Sequence, residues 1–205
     1  MTTLEQTRTT EDTAAGKIKK VQELYADAPE IGRVALKRGI DEGLARELAA
    51  ATQRESAGRI GARQGKVSEL TAFIPLEPGG GKRIRGLLDL LEGNFKGADL
   101  VGTLHDMRFV LLENDTKLLF CTAYDGEWDT YIDDFATKIP TSMDILFCNC
   151  AGWPGITSPK IKDWIVSHQL TADAWYVASP NLTVAETKRL EKIGAAVDAF
   201  LDKIG

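Results

Sequence analysis

Between Leu100 and Leu111 two sets of residues alternate. Val101, Thr103, His105, Met107, Phe109 and Leu111 interleave with Leu100, Gly102, Leu104, Asp106, Arg108 and Val110. Period two predicts a strand with His105 on one face and Arg108 on the other. The polar stretch Glu113-Asn114-Asp115-Thr116 predicts the turn of a hairpin into a second, mostly apolar strand, LLFCTAY. Asp125-Gly126 ends that strand. Trp128, Tyr131, Ile132 and Phe135 then share one side of an acidic helix.

The same reading extends in both directions. VSELTAFIPLE predicts a strand, Pro78-Gly79-Gly80-Gly81 a loop, and Lys82 to Leu91 an amphipathic helix built on Ile84, Leu87, Leu88 and Leu91. Pro140 ends the segment after the acidic helix, and the apolar run Met143 to Asn149 predicts a fourth strand. The order is β-α-β-β-α-β, so the expected fold is α+β: a ferredoxin-like antiparallel sheet with both helices on one face. A helix over 159–168, a fifth strand over 174–177 and a C-terminal helix over 183–203 extend it, with Thr183 and Glu186 spaced as a capping box. Before this domain, helical patterns cover about 15–28, 29–37 and 41–54, followed by Gly58, Gly61 and Gly65. The expected division is a tail and helical arm over 1–66 and the main domain over 67–205. The arm has few large apolar residues, so it must pack on the main domain or on another subunit.

Charge and composition narrow the classes. A net charge of −5 argues against a nucleic-acid partner, which calls for a basic face. No apolar run approaches the roughly 20 residues of a membrane span. The polar start MTTLEQTRTTEDTAAG lacks the apolar core of a secretory signal, so the expected location is cytoplasmic. Three cysteines, an odd number, fit reduced thiols.

Few residues offer chemistry. His105 reads as a core or cavity-lining imidazole, or as a proton-transfer group or haem ligand. His168, at the end of a predicted helix, reads either as a C-terminal cap or as a ligand. Arg108 in an apolar strand calls for a carboxylate, with Asp125 or Asp129 in reach. Cys148-Asn149-Cys150 lacks zinc-site spacing, so no metal is expected. Alternation along the predicted strand puts both thiols on one face, with burial as small hydrophobes the default and Cys150 the better candidate for reactivity. The glycines at 79–81, with Lys82 and Arg83 at the helix start, read as a connector or an anion site.

Four stretches, LHDMRFVLL, LLFCTAYDGEWDTYIDDF, CAGWPG and SHQLTADAWYVASPNLTV, resemble a group of bacterial ferredoxin-like proteins distantly related to dye-decolorizing peroxidases. The resemblance covers roughly 67–185. It implies a dimeric α+β barrel, hence a homo-oligomer, with a cavity for haem or an apolar small molecule. The chain has one such module where those peroxidases carry two, and only Asp125-Gly126 of their G-x-x-D-G motif. Three functions follow as expectations. The first is an oxidoreductase, haem-associated or cofactor-independent, using His105 or His168 as ligand or base with Asp125 and Arg108 as helpers. The second is a non-catalytic module binding an apolar ligand or cofactor in the same cavity; Cys150, Tyr124 and Trp153 are further candidate site residues that do not discriminate between the readings. The third is an assembly protein acting through its helical arm.

Overall fold

A computed structural model describes residues 13–44, 46, 55–92 and 95–204. The chain divides into two compact units, residues 1–53 and 54–205. The first holds α1 (Ala14–Leu24) and α2 (Glu30–Glu42). Thr13 caps α1 by accepting the Gly16 N–H at 3.1 Å, and Pro29 precedes α2. Neither helix has a buried residue. Of the third predicted helix, over 41–54, residues 45 and 47–54 lie outside the described residues, and 41–42 close α2.

The second unit is built on a six-stranded antiparallel sheet. Its strands are β1 (Glu55–Ser56), β2 (Ala62–Gln64), β3 (Val67–Pro75), β4 (Leu104–Leu112), β5 (Lys117–Asp125) and β6 (Gln169–Leu170). The order is β1-β2-β3-β5-β4, with β6 also on β3. The helices of this unit are α3 (Gly80–Leu90), α4 (Trp128–Lys138), α5 (Pro140–Phe147), α6 (Ile161–His168) and α7 (Val184–Ile204), and a 3-10 turn spans Lys96–Leu100.

The expected β-α-β-β-α run is present as β3, α3, β4, β5 and α4. The closing strand does not form over 143–149; instead short β6 pairs antiparallel with β3 on the side away from β5. Residues 143–147 of the predicted fourth strand belong to α5. Pro140 sets φ for its first turn, and Met143, Leu146 and Phe147 are buried at helical spacing. In so apolar a run either period can be read, and packing decides. What remains of the fourth strand is one bridge, Leu76 to Cys150, flanked by the bonds Glu77 N–H to Asn149 O and Ala151 N–H to Pro75 O, each 2.9 Å. The predicted fifth strand is irregular, and Gln169–Leu170 joins the sheet instead.

Residues 55–64, which fall in the expected arm, join the sheet of the second unit, β1 on β2 and β2 on β3. Gly61 is needed there: its φ is +97°, and a Cβ would stand 2.6 Å from the Glu69 carbonyl oxygen.

The core fills one sheet face. Leu70, Ala72 and Ile74 of β3 and Leu118, Phe120 and Tyr124 of β5 pack under Trp128, Tyr131, Ile132 and Phe135 of α4 and Met143 and Phe147 of α5. Each large apolar group buried this way is worth roughly 1.5–3 kcal/mol. Tyr124 and Tyr131 stack with ring centroids 3.7 Å apart. The Trp128 indole N–H donates to buried Gln169 at 2.7 Å, tying α4 to β6. By contrast, every residue of α7 from Lys188 to Ile204 is exposed, including Leu190, Ile193, Val197, Phe200 and Ile204 at alternating three- and four-residue spacing.

Candidate functional site

The polar candidates gather at one end of the β4–β5 ribbon. β4 pairs Leu104 with Tyr124 and then Asp106 with Ala123, which leaves His105 as the extra residue of a bulge. The bulge takes His105 out of the alternation that Met107, Phe109 and Leu111 keep. His105 is therefore not a core imidazole. It is partly exposed, with Nε2 2.7 Å from Asp125 Oδ1.

Asp125 Oδ2 in turn accepts the Val184 N–H at 2.9 Å, so one carboxylate holds both the imidazole and the first turn of α7. The Thr183–Glu186 capping box forms as its spacing predicts, with Glu186 accepting the Thr183 N–H at 2.8 Å and Thr183 Oγ1 accepting the Glu186 N–H at 3.2 Å. Lys66 lies 2.8 Å from Glu186, and Lys188 lies 3.1 Å from Asp99. The Lys66 ammonium, helped by the Thr183 N–H and hydroxyl, pulls the Glu186 carboxyl from an ordinary 4.5 to about 2. These groups together anchor the start of α7.

The other predicted residues are dispersed. Arg108 pairs with neither Asp125 nor Asp129; its partner is exposed Asp106, 3.2 Å away. Asp129 is taken by Arg59 at 3.0 Å and Lys162 at 2.9 Å. His168 closes α6, its Nδ1 2.8 Å from the Trp164 carbonyl oxygen and its ring against the Trp164 ring. It borders an apolar void of about 20 Å³, room for about one water. The two thiols do not share a face: Cys148 is exposed, whereas Cys150 is buried and pushed up to about 12 by that burial. Such a thiol is protonated and unreactive at neutral pH.

Tyr124 is buried in the core, and burial drives its phenol well above the ordinary range. Trp153 stacks on Phe147 and donates its indole N–H to Asp144 at 2.9 Å, fixing the CAGWPG loop. Asp144 also accepts the Ile156 N–H at 2.8 Å. The glycine loop is packed shut rather than open to an anion: Gly80 and Gly81 are buried against the backbones of Asn149 and Asp115, and Arg83 donates to Asn149 at 2.6 Å.

Open volume lies farther along β4. A partly open cavity of about 250 Å³ is lined by Leu87 and Leu91 of the α3 region, Phe95 and Ala98 at the 3-10 turn, Met107 and Phe109 of β4, and Ile139, Ser142, Met143, Ile145 and Leu146 at α5. That is near the lower edge of the roughly 300–1,000 Å³ of small-molecule sites. Phe95 and Phe109 stack 5.4 Å apart in its wall. No family model, curated protein or solved structure matches this chain. The site must therefore be read from its own residues.

Among the described residues, His105 Nε2 is held by Asp125, the space beside His168 is about 20 Å³, and no histidine, cysteine or tyrosine lines the larger cavity, so none of them is set to hold haem there. Among the described residues, no three His, Cys, Asp or Glu side chains gather as a metal site.

This cavity leaves almost no mark in the sequence because its lining is ordinary apolar residues from four separated segments. Met107 and Phe109, at alternate positions of an otherwise edge-like strand, were its one local trace. Glu69 is a second group that the alternation does not single out. It is buried in β3, accepts the Ala62 and Ala172 N–H groups at 2.9 and 3.0 Å and the Thr71 hydroxyl at 2.8 Å, and so clamps the chain at β2 and just beyond β6. A lone acid inside a buried strand was the signal for such a clamp.

Proposed function

We propose that this protein is a binding module for an apolar small molecule, held in the cavity between α3, the 3-10 turn, β4 and α5. The observation that supports this reading is the cavity itself: about 250 Å³ with an almost wholly apolar lining. An apolar guest would gain from leaving water, and the stacked Phe95 and Phe109 rings offer it a flat wall. The residues with acid–base chemistry are engaged elsewhere: His105 on Asp125, Asp125 on the start of α7, and His168 on its own helix. Binding without turnover is therefore favoured over oxidoreductase chemistry.

The test is fluorescence titration with uncharged N-phenyl-1-naphthylamine, alongside Ala98→Phe, which fills the cavity from the 3-10 turn. Saturable enhancement in the parent protein, lost in a folded Ala98→Phe variant, is the expected result. Equal enhancement in both proteins would remove the cavity as the site.

A further inference from the structure

Resting on that reading, we infer that the ligand is uncharged and carries one oxygen, a hydroxyl or carbonyl, that the Ser142 hydroxyl recognises. Among the described residues lining the cavity, Ser142 carries the one side chain able to make a conventional hydrogen bond, and none of the lining side chains is ionisable. Along the apolar wall a ligand carboxylate or ammonium would give up its hydration without meeting an opposite charge among the described lining residues, and burial of that kind is strongly unfavourable. The start of α5 adds only a partial positive charge, which does not replace a counter-ion. A neutral ligand with no polar atom would fit the apolar wall but leave Ser142 unused.

Position and size narrow the class further. Ser142 is the third residue of α5 and is exposed, whereas the rings of Phe95 and Phe109 stack in the cavity wall. A ligand would therefore lay its hydrocarbon part along the rings and turn its oxygen toward α5. At about 250 Å³ the space equals about eight waters, enough for a molecule on the scale of one bicyclic ring system. Small aromatic or terpenoid alcohols and ketones match this description. Fatty acids and other anions do not.

Three naphthalenes that differ at one position test the inference by displacement of N-phenyl-1-naphthylamine: 1-naphthol (neutral at pH 7), 1-methylnaphthalene and 1-naphthoate. The parent protein should bind naphthol at least about tenfold more tightly than naphthoate, the sign of a cavity with no counter-charge. Ser142→Ala should weaken naphthol by roughly 3- to 10-fold and leave methylnaphthalene unchanged, while Ser142→Thr keeps naphthol affinity. Naphthoate binding as tightly as naphthol would overturn the inference, as would an unchanged naphthol affinity in Ser142→Ala, with the cavity reading left standing. Failure of N-phenyl-1-naphthylamine and all three naphthalenes to bind the parent protein would overturn both together.

Discussion

The two ends of the β4–β5 ribbon differ in kind. At the end near the bulge, His105, Asp125, Thr183 and Glu186 hold one another and the first turn of α7 through bonds of 2.7–3.2 Å. Farther along, Met107 and Phe109 face a cavity of about 250 Å³ with one hydroxyl side chain in its lining. The first end is rich in chemistry, but its groups are committed to one another; the second is poor in chemistry and has room. A histidine beside an aspartate suggests catalysis, but here the carboxylate is spent on a helix start, a structural task worth roughly 1–2 kcal/mol. Perturbed or paired polar groups mark structural clamps as readily as active sites.

Variants at either end should separate the two roles. The largest effect belongs to the cavity: Ala98→Phe is expected to lower probe affinity by more than about 100-fold while α7 keeps its amide protection. Asp125→Ala should do the reverse. It frees both Val184 and His105, costs roughly 1–2 kcal/mol in urea unfolding, speeds hydrogen exchange in the first turns of α7 and leaves probe binding unchanged. Probe affinity falling with Asp125→Ala would join the two ends into one site and break the comparison.

Acid should act at the bulge end alone. Glu186 has a folded pKa below its unfolded one, so its contribution is complete above about 4.5 and fades as pH falls toward about 2. Hydrogen exchange at the start of α7 should therefore rise across that window relative to the amides of the α4 core, and Lys66→Ala should move the rise to higher pH. The smallest effect is expected at Arg108. Its pairing with Asp106 is exposed, so Arg108→Ala should change stability by less than about 0.5 kcal/mol and leave probe affinity alone. A larger loss would give that arginine a role the geometry does not show.

Local chemistry by itself determined a large part of this protein. The hairpin of β4 and β5, the amphipathic faces of α3 and α4, and the Thr183–Glu186 box were legible because each rests on neighbours within one or two turns or one strand pair. Tertiary structure decided the rest. The run from Met143 to Phe147 is apolar but for Asp144 and fits either period, so packing under β5 made it a helix. The bulge at His105 is invisible in the alternation, since it depends on how β4 aligns with β5. The thiols of Cys148 and Cys150 parted once the segment before them was helical. The cavity exists only where four segments distant in sequence leave a gap between apolar side chains. Hydrophobic burial is non-directional, so a sequence can mark which residues leave water but not where their packing falls short.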